Sequence, residues 1–191
     1  MKSILLFLCM LICATVASLE GQQRSAMTTQ AQPIDPCKLL TGEDIKSVQG
    51  DTLEETEPGT EPSVHGLEQA LCLYRTSTPV KSVSIAVASG ARKQLREYWR
   101  KQFHRGAERQ EEAQPDAGKN KSGREDHEES TPRIVNGVGE EAYWVGNRMI
   151  GVLYVLRGNT FLRVSVGGVR DEAARMEKSV ALARAALKRL R

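Results

Sequence analysis

The chain has 191 residues, 40% of them hydrophobic, 27% charged and only 5% aromatic, which fits one globular domain with tails and an aliphatic core. Three histidines and four cysteines leave few residues for metal or nucleophile chemistry, and a formal charge of +3 is too small to argue for nucleic acid by itself. The sequence speaks to compartment, layout and a disulfide; it carries no motif for an activity.

The N-terminus has the form of a targeting segment. Lys2 supplies a short positive region, Ile4 to Ala17 is an almost uninterrupted apolar run, and Thr15-Val16-Ala17-Ser18 offers small residues for cleavage. This combination predicts a secretory signal peptide over residues 1–18, and hence a periplasmic or secreted product. The run is shorter than the roughly 20 residues that cross a bilayer, so membrane anchoring is not expected. Lipid attachment at Cys9 or Cys13 is not expected either, because Leu8 and Ile12 stand where a small residue is wanted.

Removal of the signal leaves Cys37 and Cys72. An even pair in a small exported domain most often forms one disulfide, which in the chain-entropy model contributes about 4 kcal/mol. Free thiols or half of a metal site are the rival readings, and the latter needs more ligands than His65 supplies.

Residues 19–34 are polar and aperiodic, the composition of a disordered leader. Structure is expected to begin at Asp35-Pro36, where Asp can cap a helix and Pro suits its first position. Thr41-Gly42-Glu43-Asp44 is close to a capping box, Ile45 and Val48 follow at helical spacing, and Gly50 is placed to end the helix. Residues 51–66, rich in Glu, Thr, Pro and Gly, are expected to be a loop. Cys72, Tyr74 and Thr76 alternate in one strand and Val83, Ile85 and Val87 in the next, which predicts a hairpin around Thr78-Pro79. Ala91 to Arg105 reads as a helix with Leu95, Tyr98 or Trp99, and Gln102 or Phe103 along one side.

Residues 106–132 carry almost no apolar content except Ala, and are expected to form a disordered charged insertion. Beyond them, Tyr143–Val145, Met149–Leu156 and Phe161–Val166 are apolar runs divided by Gly146-Asn147 and Gly158-Asn159, two hairpin signals that predict a three-stranded meander. Val169, Ala173, Met176, Val180, Ala183, Leu187 and Leu190 then recur in steps of four and three, a single apolar stripe on a closing helix. The expected fold is a single α+β domain over residues 35–190. Its antiparallel sheet, built from a two-strand and a three-strand block, is covered by helices.

Gly137-Val138-Gly139-Glu140-Glu141-Ala142 matches a dinucleotide-binding fingerprint on paper. That loop works between a strand and a helix, whereas here it precedes a strand and carries two Glu residues, so a turn into the meander is expected. His127-Glu128-Glu129 lacks the second histidine of a zinc-protease motif. No cofactor, metal site or catalytic residue is assigned on sequence grounds. Charge is segregated instead: Asp35–Ala70 holds nine acidic and two basic residues, and Ala91–Arg105 holds six basic and one acidic. Arg92, Lys93, Arg96, Arg100 and Lys101 therefore form a possible basic surface for an anionic lipid or polyanion, with nucleic acid not expected in an exported protein.

Asp35-Pro36-Cys37-Lys38-Leu39-Leu40-Thr41, Cys72-Leu73-Tyr74 and Gly137-Val138-Gly139-Glu140-Glu141-Ala142-Tyr143 together resemble a family of uncharacterised exported bacterial domains. Many of these are lipoproteins, and they open D-P-C-x-L-L-T, continue with a C-x-W or C-x-Y strand, and turn at G-x-G-[DE]-x-A-[YW]. The resemblance implies an α+β domain with Cys37 bonded to Cys72, and it implies no activity. This chain departs from the pattern in lacking a lipid-attachment cysteine and in its charged insertion. The expectation is a non-catalytic domain that binds an envelope protein or a small ligand. The alternatives are a hydrolase whose site assembles from distant residues such as His65 with a serine, and the basic surface just named.

Overall fold

The computed structural model describes residues 34–104 and 131–190. The segments read as signal peptide, leader and charged insertion lie outside these, apart from Ile34, Thr131 and Pro132, as does His127. A 3-10 turn, Pro36–Lys38, opens the chain, with the Asp35 carboxylate accepting from the Cys37 N–H at 3.0 Å. Helix α1 (Gly42–Gln49) starts in a complete capping box: Thr41 Oγ1 accepts from the Asp44 N–H and the Asp44 carboxylate accepts from the Thr41 N–H. Gly50 ends it in the left-handed region at φ +65°, where a Cβ would be strained.

The strands are β1 (Leu53–Val64), β2 (Leu67–Thr76), β3 (Val83–Ser89), β4 (Arg133–Ile134), β5 (Glu141–Gly146), β6 (Gly151–Arg157) and β7 (Thr160–Val166). They form one seven-stranded antiparallel sheet in the order β1-β2-β3-β7-β6-β5-β4. With α2 (Arg92–Phe103) and α3 (Glu172–Arg189), the described residues make an α+β fold with a single Cys37–Cys72 disulfide. The expected two-strand and three-strand blocks are both present. They join through β3 and β7, where Val83 stands opposite Val166 and Ser89 opposite Thr160.

Alternation along the strands gives the sheet two faces. On the first, Cys72, Tyr74, Ile85, Val87, Trp144, Leu153, Leu162 and Val164 pack beneath α1 and α3 through Ile45, Leu182, Ala183 and Leu187. On the second, Leu67, Ala88, Leu156 and Phe161 pack beneath Leu95, Trp99 and Phe103 of α2. Arg163 on β7 reaches Glu61 on β1 at 2.5 Å, although β2 and β3 lie between those strands. Three steps of about 4.8 Å exceed what the two side chains can span on a flat sheet. The β1–β2 hairpin therefore curls over the second face, bringing Leu67 under α2.

Three expectations need correction. Residues 51–66 are not a loop but chiefly the edge strand β1, paired to β2 from Leu53 opposite Thr76 to Val64 opposite Leu67. An edge strand pairs on one side only, so it tolerates Pro58 and Pro62 and shows no apolar alternation to read. Gly146-Asn147 is not a two-residue turn: Gly146 stays in β5 opposite Gly151, and a four-residue loop, Asn147–Ile150, connects them. A Cβ on Gly151 would lie 2.1 Å from Trp144 Cζ2, so this glycine makes room for an indole. Met149 and Ile150, expected in β6, belong to that loop. The α3 stripe packs as expected, with Val169, Met176, Val180, Ala183, Leu187 and Leu190 all against the first-face core; Ala173 is its exposed member, and the buried face widens to take in Arg175, Ser179, Leu182 and Ala186.

Candidate functional site

The disulfide braces the chain's entry. Cys72 is fully buried on β2, and its bond to Cys37 holds the 3-10 turn against the first face with the Cα atoms 5.1 Å apart. Two residues along β2, the Tyr74 hydroxyl donates to the Pro36 carbonyl at 2.5 Å and accepts from the Leu40 N–H at 3.2 Å. Burial pushes the Tyr74 phenol up to about 12, so it stays neutral and fully able to donate. The pair is structural rather than chemical.

The five cations named as a basic surface have different surroundings. Arg92, Lys93, Arg100 and Lys101 are exposed along α2, whereas Arg96 is half-buried and paired with Glu140. Lys101 pairs with Glu97 one turn before it, at 2.7 Å. Glu140 also accepts from the Gly158 N–H at 2.7 Å; that bond and Arg96 hold its carboxyl below the usual range. Its neighbour Glu141 accepts from Trp99 Nε1 and meets His104 Nε2, each at 2.9 Å. Burial raises the Glu141 carboxyl, but the two hydrogen bonds outweigh it and the net direction is down. So the Glu140-Glu141 pair, which argued against a phosphate loop, serves to clamp α2 to the sheet.

His65 sits in the β1–β2 turn at φ +51°, its ring 5.6 Å from that of Tyr98. Around it, Gln94, Glu97, Tyr98, Lys101 and Gln102 line a hollow of about 280 Å³. No serine lines it. Among the described residues, no group of three His, Cys, Asp or Glu side chains could hold a metal ion, and no helix is long and apolar enough to cross a membrane.

The more unusual arrangement lies on the second face. Helix α2 covers only the end near Ala88, Leu156 and Phe161. Farther along the same strands Leu73, Ser84, Val152 and Ser165 are half-buried, and no described helix packs on them. There, at the end of the sheet, Leu73, Ser84, Ser165 and Gly151 floor a hollow of about 330 Å³ whose rim includes Val80, Met149 and Ile150. These rim side chains are 68%, 85% and 71% exposed.

Hydrogen bonds hold the Asn147–Ile150 part of the rim. Asn147 Oδ1 accepts from the N–H groups of Met149 at 2.8 Å and Ile150 at 3.1 Å, and the Asn147 N–H donates to the Ile150 carbonyl at 2.8 Å. Arg175, only 3% exposed, donates to the carbonyls of Asn147 and Arg148 at 3.1 Å and of Val169 at 2.6 Å. No carboxylate among the described residues pairs with it. Five N–H donors in a fixed fork suit this collection of carbonyls, and one side chain joins α3 to the β5–β6 loop. Sequence reading missed Arg175 because it lies in a polar gap of the stripe. It placed Met149 and Ile150 inside a strand, although that apolar run is longer than either of its neighbours.

No family model matches the chain, and no curated protein matches it. Among solved structures the chain is similar to a GTP-binding regulator from Thermotoga maritima, at TM-score 0.39 and 10% identity over 78% of this chain and 89% of that one. It is also similar to the extracellular domain of PknH from Mycobacterium tuberculosis, at TM-score 0.40 and 10% identity over 78% of this chain and 92% of that one.

Proposed function

We propose that this is a non-catalytic exported domain that binds a partner or ligand at the cell envelope, using the uncovered half of the second face. One observation carries the reading: of the five large apolar side chains exposed among the described residues, Val80, Met149 and Ile150 all ring one hollow. Folded domains rarely gather exposed apolar side chains without a binding role. Export rests on the signal-peptide pattern of residues 1–18, and the disulfide suits an oxidising compartment. Kinship with the exported bacterial domains of the D-P-C-x-L-L-T type is proposed on the three motifs alone.

Ser84→Arg tests the site, since it places a long charged side chain on the floor of the hollow. Immobilised wild-type protein is expected to retain an envelope component that the Ser84→Arg variant releases. Equal retention by both proteins, or by neither, would count against the reading.

A further inference from the structure

We infer that the end of the sheet carrying Val80, Met149 and Ile150 docks on the surface of an anionic bilayer, with these three side chains entering the acyl region. This rests on the reading of that rim as the binding surface and names what it meets.

The three residues come from two loops that the sheet brings together. At the end of the β6–β7 pair, beyond Leu153 opposite Val164, Ser165 Oγ donates to the Gly151 carbonyl at 3.0 Å, and the chain beyond Val166 runs against the 3-10 turn Pro79–Lys81. A Cβ on Gly167 would lie 2.3 Å from the Val80 carbonyl oxygen. Val80 on one loop and Met149 with Ile150 on the other thus border the same hollow. The apolar side chains stand on loop tips, the shape that enters a bilayer, where a protein partner of ordinary size would need a broad complementary area.

The backbone is prepared for such an environment. Unsatisfied N–H groups are costly in lipid, and here the Met149 and Ile150 N–H groups are both taken by Asn147 Oδ1. Arg175 takes the Asn147 and Arg148 carbonyls from beneath, so the tip does not have to fold as it inserts.

The charge is complementary to anionic headgroups. Arg148 is exposed within the tip itself, Lys81 follows Val80, and Arg170 is exposed just beyond Gly168. Asp51, which accepts from Ser77 Oγ and the Thr78 N–H, and Asp171, which caps α3 through the Ala174 N–H, have neutral partners and stay charged, so the three cations outnumber these two carboxylates by one. Apolar tips ringed by cations gain from both acyl burial and phosphate attraction, and the second contribution weakens with salt.

Cosedimentation of the purified protein with phosphatidylglycerol vesicles and with phosphatidylcholine vesicles tests this. Preference for phosphatidylglycerol by at least about tenfold is expected, falling as salt is raised. The pair Met149→Asp and Ile150→Asp, or Val80→Asp separately, should weaken that binding at least about tenfold while leaving the fold intact, since these side chains are exposed. Three results would overturn the inference: no vesicle binding, unchanged binding by the tip variants, or loss of binding in Arg92→Gln, Lys93→Gln, Arg100→Gln instead. If vesicles are not bound yet Ser84→Arg still releases an envelope component, the membrane falls and the open-face reading stands. If vesicles are bound through the tip while Ser84→Arg has no effect on retention, the membrane stands and the hollow has no further occupant.

Discussion

Glu141 accepts from Trp99 and meets His104, so one carboxylate holds the C-terminal turn of α2 against β5. Its folded carboxyl titrates below the ordinary value of 4.5, so its contribution is complete above that value and is lost as pH falls through the folded one. We expect Glu141→Gln to lower stability by about 1 kcal/mol at neutral pH, with the difference closing in acid, as urea unfolding at both conditions would show. Tyr74 tests the other side of the sheet. Tyr74→Phe leaves the Pro36 carbonyl and the Leu40 N–H without their partner, and a loss of about 1–3 kcal/mol is expected in the same measurement. A cost near zero would mean that the 3-10 turn is not held by this hydroxyl. Neither role was legible in the chain, because the partners of both residues are distant in sequence. The Thr41–Asp44 capping box was legible, since its reciprocal bonds span only three residues.

Elements were legible where their two faces take different residue types. In Val83–Val87 branched side chains alternate with Ser84 and Ala86, small residues that suit the second face, and in Leu95–Phe103 apolar residues recur at helical spacing. β1 escaped because neither of its faces is fully covered, and the burial of Arg175 on α3 escaped because the loop carbonyls it satisfies lie outside the helix. The two Gly-Asn signals looked alike, yet Gly158 serves a turn at φ +61° while Gly146 lies beneath an indole. The Cys37–Cys72 bond acts at this scale, fixing the entry turn to β2. We expect the mature protein to show no free thiol by mass analysis. Cys37→Ala should cost about 4 kcal/mol on the chain-entropy estimate, read from the shift in unfolding midpoint. Two free thiols would remove the support this bond gives to export.

Across the whole molecule, the candidate site was the least legible part. Its apolar members are separated by most of the sheet's connectivity and meet only because Gly167 passes against the Pro79–Lys81 turn. The central pair of the sheet has a similar origin. β3 and β7 stand side by side, yet β3 precedes residue 105 and β7 follows residue 130. The first piece brings β1 to β3, α1, α2 and the whole disulfide; the second brings β4 to β7 and α3. Each alone would leave a buried strand edge and a helix-covered face open to water. The domain is thus two complementary halves meeting along a seam, with no disulfide crossing it. Chains ending at residue 104 and beginning at residue 131, produced together, are expected to co-elute as a folded pair and to separate only on unfolding. Independent elution of two folded fragments would show that the seam is not what completes the core.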